Sequence, residues 1–367
     1  MIEYTTLGNL IAPARVMRCG KDSFPVLSMT MHDGIVLQSE RFKKSLASID
    51  QSDYKVVKRG QLVVGFPIDE GVLYVQKVAD EGIMSPAYNV WDIDTEKVDP
   101  DFLELCLHSP QSMQYYRNKL RGTTARRRSI PTADLLALSI RLPDMQTQRE
   151  AVAIMRKTEN IIASRQEQLN AFEQLVKSRF IELFNGYDET TKLSEVAVVT
   201  GGLTKNSKRD QLPMRMPYLR VANVAFASID VTEILDIGLT QDEYEKTLLE
   251  YEDMLFVEGN GSPDQIGRVA IWRNEITPCV HQNHLIKARF NQSKVKPVFA
   301  MHYFMSQSGR EQIKSKAVST SGLFTLSVSK VADLLMPVPP MDIQEHFVAF
   351  VEQTDKSKLC GEMEVAA

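Results

Sequence analysis

Hydrophobic residues recur at two different periods along this chain, and the switch between them marks its elements. Short runs such as Tyr54-Lys55-Val56-Val57, Gln61-Leu62-Val63-Val64, Gly71-Val72-Leu73-Tyr74-Val75 and Val269-Ala270-Ile271-Trp272 are rich in β-branched and aromatic residues. Gly and Asp turn signals bound them, so they predict strands. Two longer stretches, Pro100 to Lys119 and Lys296 to Lys316, carry helical spacing. From Pro143 to about Gly186 one Pro, one Gly and helix formers between them predict a single helix of about 40 residues, ~60 Å at 1.5 Å per residue. Within it Met155, Ile162, Leu169, Val176 and Leu183 fall at intervals of seven, the column of a coiled-coil seam and of a subunit interface. The flanking Glu159, Gln166 and Glu173 are polar until Phe180, so the seam is narrow. An ordinary amphipathic surface helix is the alternative, but a helix this long suits the spacing of two domains.

The chain also repeats itself. Leu142-Pro143-Asp144-Met145-Gln146-Thr147-Gln148 returns as Val338-Pro339-Pro340-Met341-Asp342-Ile343-Gln344, at an offset of 196. At the same offset Val152-Ala153 matches Val348-Ala349 and Thr158 matches Thr354. Looser matches, Thr5-Thr6-Leu7-Gly8 with Thr191-Lys192-Leu193-Ser194 and Pro25-Val26-Leu27 with Pro217-Tyr218-Leu219, need an offset near 190. That period is too long for a solenoid and implies duplication of a whole domain with its connector. Each copy reads as α+β. The expected layout is a first domain over 1–142, a spacer helix over 143–187, a second domain over 188–338 and a second spacer over 339–367. Across the offset, Val351 falls opposite Met155, Lys358 opposite Ile162 and Val365 opposite Leu169. Lys358 interrupts the seam and Gly361 weakens the helix, so the second spacer reads as truncated. Val176, Phe180, Leu183 and Phe184 are then expected to be exposed and free to pair with another chain.

Composition narrows the class. The 367 residues are 43% hydrophobic and 25% charged, enough for two cored domains. No run of eighteen apolar residues exists and Met1-Ile2-Glu3-Tyr4 does not open a leader, so a cytosolic protein without a membrane partner is expected. Cys19, Cys106, Cys279 and Cys360 lie far apart, without a zinc or disulfide pattern. A net charge of -4 argues against a nonspecific coat on nucleic acid, yet Gln111 to Ala133 holds Arg117, Lys119, Arg121, Arg126, Arg127 and Arg128 with no acidic residue.

The junction motif, roughly L-P-P-L-x-x-Q followed by a helix, resembles the marker that ends a target-recognition domain in the specificity subunits of Type I restriction-modification enzymes. It stands twice here, ending on Gln148 and on Gln344. Upstream, Gly122-Thr123-Thr124-Ala125-Arg126-Arg127-Arg128 and Ser319-Thr320-Ser321-Gly322-Leu323-Phe324-Thr325-Leu326-Ser327 are similar to two variants of that family's loop. The resemblance implies an α+β fold: two tandem α/β target-recognition domains separated by long antiparallel coiled-coil helices, with pseudo-twofold symmetry. Each domain would read one half of a split site in double-stranded DNA. Methyltransferase (M) subunits would pack on the helices and restriction/translocase (R) subunits would join them, while this subunit positions and needs no cofactor.

Candidate DNA contacts follow from donor chemistry. In the first domain Arg121, Thr123, Thr124, Arg126, Arg127 and Arg128 offer guanidinium forks and hydroxyls to phosphate or guanine, with a solvated basic loop as the alternative. In the second, Gly259 to Arg268 carries Asn260, Ser262, Gln265 and Arg268 between permissive glycines, and resembles a G-N-G-S-P-x-Q-I-G-R segment of the family. His281-Gln282-Asn283-His284 follows, and the amides of Gln282 and Asn283 suit adenine. His281 and His284 lack a third ligand and read as core or interface histidines. Lys205, Lys208 and Arg209 form a second basic loop, for phosphates or merely solvated, and Ser319 and Thr320 belong to the upstream loop. Trp91 and Trp272 read as core. No N-P-P-[FY] loop, glycine-rich cofactor turn or Walker sequence is present, and Asp53-Tyr54-Lys55 has no Pro-Asp before it, so catalysis by this chain is not expected. The rival readings are a helical scaffold binding proteins, which leaves the basic loops unexplained, and a silent, truncated specificity subunit.

Overall fold

In the computed structural model, residues 3–31, 33–41, 50–120, 128–187, 189–320 and 322–366 are described. The chain divides into two units, Met1–Ala163 and Ser164–Ala367. In the first, Leu62–Val64 shows no polar alternation because it is a central strand: Leu62 pairs with Trp91 on one side and Val75 on the other. The sheet order is Ile11–Pro13, Asn89–Ile93, Leu62–Val64, Leu73–Val75, all antiparallel. Helices α1 (Pro100–Leu107) and α2 (Pro110–Lys119) lie against it, with Leu103, Leu107, Tyr116 and Trp91 in one core.

The second unit has the same sheet order, Ala197–Gly201, Leu285–Phe290, Met254–Val257, Val269–Ile271. Its helices α4 (Pro297–Met305) and α5 (Gln307–Lys316) follow in the same place in sequence, and Trp272 is fully buried. It adds Met214–Leu219, antiparallel to Leu235–Leu239 and parallel to Val280–His281. Each unit also has a two-stranded ribbon that ends at its junction motif: Glu3–Thr6 with Ser139–Leu142, and Thr190–Lys192 with Leu335–Pro337.

Two helical expectations are corrected. Each stretch read as one helix is two, because a serine caps a fresh start. Ser109 Oγ accepts from Ser112 N–H at 3.3 Å with Pro110 at the first position, and Ser306 Oγ accepts from Gly309 N–H at 3.4 Å. A Cβ on Gly309 would lie 2.2 Å from Tyr303 O, so the second break needs glycine.

Helix α3 (Met145–Phe184) is continuous over 40 residues, as its pattern predicts, and α6 runs from Met341 to Ala366, through Gly361. The apolar end of α3 is not exposed. Val176, Phe180 and Phe184 are buried in the core of the second unit, with Leu183 packed beside them. The Phe180 ring stacks 5.8 Å from Phe299 and meets Phe347 of α6 edge-on at 5.3 Å; Phe184 lies 4.5 Å from Phe299. The reason is spacing. Residues 176, 180 and 184 are four apart and share one face, and the domain core covers that face together with the neighbouring Leu183. Met155 and Ile162 stay exposed and Leu169 half-buried. Among the described residues no helix is long and apolar enough to cross a membrane.

Candidate nucleic-acid interface

In the second unit, four segments chosen separately from the sequence are joined by backbone hydrogen bonds. Where Met254–Val257 leaves the sheet, Glu258 N–H donates to His284 O at 2.9 Å and Glu258 O accepts from Leu326 N–H at 2.8 Å. Gly259 and Asn260 then pair with Thr325 and Phe324, and that strand pairs with Val318–Thr320. Asn260 and Ser319 therefore sit on one three-stranded ribbon although 59 residues apart. Thr320 pairs through its backbone with Leu323, and Ser319 is exposed.

The same edge continues through Leu203. Its N–H donates to His281 O at 2.9 Å, and Asn283 N–H donates to Leu203 O at 3.0 Å. This brings the basic loop beside Gln282 and Asn283. The approach is tight: a Cβ on Gly202 would lie 2.2 Å from His281 O and 2.5 Å from Gln282 O, both backbone atoms. Gly202→Ala is therefore expected to cost about 2 kcal/mol or more, the scale of overpacking against atoms that cannot turn aside. A thermal melt of the variant superimposing on the parent would contradict the tight approach.

The loop from Asn260 to Arg268 builds its shape from local bonds. Asn260 Oδ1 accepts from Ser262 N–H at 2.9 Å, and Ser262 O accepts from the N–H groups of Gln265 and Ile266 at 3.1 and 3.2 Å. Gly267, at a φ of 61, returns its N–H to Val257 O at 3.1 Å. A Cβ there would meet Ile313 Cγ2 at 2.4 Å. Behind the loop, Arg310 of α5 donates to three of its carbonyls and Lys314 pairs with Asp264. Arg310 carries no sequence signal of this role, because its partners are backbone carbonyls 43 to 46 residues away.

The candidate side chains differ in what they have left to offer. Lys205 and Lys208 are exposed, with no side-chain partner among the described residues. Gln282 and Asn283 are half-buried, and their amide groups make no hydrogen bond among the described residues. Arg209 is internally engaged: it forks onto Glu243 at 3.0 and 2.7 Å and donates to Thr204 O and Gly238 O. That guanidinium holds the Glu243 carboxyl down at about 2. Arg268 reaches Gln265 Oε1 at 3.3 Å and Val221 O at 3.4 Å. His281 is fully buried, with Nδ1 3.0 Å from Leu285 O, and His284 lies exposed 2.7 Å from Glu258. Among the described residues no three or more His, Cys, Asp or Glu side chains gather as a metal site would require.

In the first unit, Arg121, Thr123, Thr124, Arg126 and Arg127 lie outside the described residues. Arg128 anchors the end of that run. Its carbonyl accepts from Ile68 N–H at 3.1 Å, and its guanidinium pairs with Asp69 at 3.1 Å and with Glu70. The acidic partners missing from the local window thus arrive from the turn Ile68–Glu70, which follows the central strand as the Asn260 loop does in the second unit.

Residues 188–360 match the family described as the Type I restriction modification DNA specificity domain. The Type I restriction enzyme EcoKI specificity subunit of Escherichia coli K12 is 23% identical over 263 residues, 65% of this chain and 55% of that one. The putative type I restriction enzyme MjaX specificity subunit of Methanocaldococcus jannaschii is 24% identical over 175 residues, 46% and 39% of the two chains. The chain thus spans between about two fifths and just over half the length of these relatives. In fold it is similar to the S subunit of a Type I restriction-modification system from M. genitalium, with a TM-score of 0.55 and 14% identity over 100% of this chain and 92% of that one. It is also similar, at a TM-score of 0.59 and 16% identity over 100% and 93%, to a chain from work on complex assembly and conformational transition of the type I R-M system.

Proposed function

We propose that this chain, whose residues 188–360 match the Type I restriction modification DNA specificity domain, is a non-catalytic specificity subunit of a Type I restriction-modification enzyme that reads a split site in double-stranded DNA. In this reading it positions methyltransferase and restriction/translocase subunits on that site. Residues 1–142 and 188–338 are the two target-recognition domains, and 143–187 and 339–367 are their spacers. The observation that carries the reading is the convergence on one edge of the second unit: two free lysines, two uncommitted amides and the loop of Asn260, Ser262 and Gln265. Phosphate contacts position and base-edge contacts specify, and both kinds of group stand together there. Lys205 and Lys208 supply the first kind; Gln282, Asn283 and Asn260 supply the second. Arg209 and Arg268 hold the surface in shape, since their forks already have partners. The first domain contributes its arginine run. Met155 and Ile162 are the part of the predicted seam left open to another subunit.

The decisive experiment is single-molecule sequencing of methylated bases in host DNA, with and without this gene. A split methyladenine motif that vanishes with the gene supports the reading; an unchanged methylation pattern overturns it. A finer expectation concerns the lysines. Removing both, as Lys205→Ala with Lys208→Ala, should weaken binding to every duplex alike and lower the slope of log K against log salt by about 2, at roughly 0.9 per phosphate contact. A slope equal to that of the parent would remove them from the interface.

A further inference from the structure

Arg310 stands behind the candidate reading loop and is engaged wholly by it. Its Nη1 donates to Gly267 O at 2.9 Å, and its Nη2 to Ile266 O at 2.7 Å and Asp264 O at 3.1 Å. The guanidinium lies 5.1 Å over the ring of Phe226, which fixes its plane. The helix that carries it is itself fixed: Ile313 is fully buried, and Gln312 ties to the backbone of Leu335 at 3.0 and 2.5 Å. Lys314, one turn on, pairs with Asp264 at 2.6 Å. Three peptide planes within four residues are thus referred to one rigid group. A planar fork serves its acceptors in a fixed arrangement, whereas the three N–H groups of an ammonium rotate on a flexible stem and hold no common plane.

Building on the DNA-reading proposal, we propose that Arg310 is a positioning residue for sequence discrimination: it touches no base, but sets the loop from which Ser262 and Gln265 project. Discrimination through a hydrogen-bonded base edge depends on placement to within a fraction of an ångström, so loosening the loop costs selectivity before it costs affinity. Among the described residues of the first unit no such clamp is found. There the corresponding turn is held by Arg128 through Asp69 and Glu70.

The test uses the full chain, purified from its host with the subunits that accompany it, and duplexes bearing the methylated motif with single substitutions in either half. The half read by the second unit is the one whose discrimination responds to Asn260→Ala. Arg310→Lys is expected to reduce discrimination in that half about tenfold, the scale of one good base-edge contact. Discrimination in the other half, and binding to a non-target duplex at the same salt, should stay within about twofold. In hydrogen exchange the amides of Gln265 and Ile266 should open faster in the variant, while those of Lys205 to Arg209 keep the parent rate. Arg310→Ala should do the same more strongly, and the lysine variant carries the test where the alanine variant melts. Unchanged discrimination in both halves overturns the inference. So does an equal loss in both halves together with non-target binding, which would make Arg310 a phosphate contact or a support of the whole fold. A parent protein that prefers no duplex at all brings down the DNA-reading proposal itself, and is told apart from these by the absence of any parent preference.

Discussion

Between pH 6.5 and about 4 the second unit should lose stability steeply, because two of its histidines are held neutral by burial. His281 is fully buried between the sheet and the basic edge, and burial, assisted by the nearby Lys287 ammonium, brings it from 6.5 down to about 4. His302 of α4 sits against the rings of Phe180 and Phe347 at 6.4 and 5.2 Å, and burial brings it down to about 4 as well. For a base with a depressed folded value, the unfolded chain binds the extra proton first. The stabilising preference for the neutral form is intact above 6.5, is lost as pH falls through that window, and is gone below about 4. At 1.36 kcal/mol per unit, His281 alone accounts for on the order of 3 kcal/mol, a large part of an ordinary domain's stability. His302 retains some solvent contact and contributes less. Glu243 acts in a separate window: Arg209 depresses it to about 2, so its contribution is lost only as pH falls from 4.5 toward 2. Urea midpoints of the second unit, taken from pH 7 downward, should fall along this curve, and His302→Leu should flatten it. Midpoints that stay level to pH 5 would show the histidines to be solvated or paired in ways that cancel the effect.

How far the sequence was legible depends on whether a residue's partner lies near it in the chain. The central strand of the first unit was readable because Leu62–Val64 is apolar on both faces, which two neighbouring strands require; its counterpart Met254–Val257 has the same character but was not singled out. The long helix was readable from its composition, but its buried face was not. A period of seven groups Met155 and Ile162, which are exposed, with Val176 and Leu183, which pack in a domain core, because the partner of α3 in the second unit is that core rather than a second helix alone. The breaks at Ser109 and Ser306 were missed because a capped restart interrupts the hydrogen-bond ladder while keeping the apolar spacing nearly in phase.

At the candidate site the same division holds. Donor types were visible, and four segments were named separately, but nothing local said that Asn260 and Ser319 share a ribbon or that Gly202 seats the basic loop against His281. Nor could charge alone separate Arg209 from Lys205. Arg209 is committed to Glu243, 34 residues on, whereas Lys205 has no side-chain partner among the described residues. Long-range ion pairs convert a basic residue from a reader into a brace, and one sequence does not show them.

Replacing the last residue of either junction motif, Gln148→Ala or Gln344→Ala, should cost on the order of 3–5 kcal/mol in the unit concerned, through loss of buried hydrogen bonds whose partners stay buried. The two glutamines are 1% and 0% exposed and make matching bonds. Gln148 Oε1 accepts from Asp99 N–H at 2.8 Å, and its amide donates to Lys97 O at 3.2 Å and Pro143 O at 2.9 Å. Gln344 Oε1 accepts from Lys296 N–H at 2.8 Å, and its amide donates to Lys294 O at 3.1 Å and Pro339 O at 2.8 Å. Each therefore joins the start of a spacer helix to the residue that caps the first domain helix, α1 or α4. That is why the motif ends on glutamine: one side chain must accept once and donate twice, which neither glutamate nor leucine can do. Its proline keeps the preceding residue extended and starts the turn that delivers the glutamine. Gln344→Glu should be no milder than the alanine change, since an ionised carboxylate would face two carbonyls without a donor. The effect in the second unit should exceed that in the first, because Asp99 also caps α1 with its own side chain, at 2.9 and 3.2 Å, while Lys296 offers α4 no such cap. Denaturant unfolding of the two variants, followed by hydrogen exchange at Phe102 and Phe299, assigns each loss to its unit. A loss below about 1 kcal/mol in both would mean that water replaces the glutamine, and would detach the repeated motif from the join between domain and spacer.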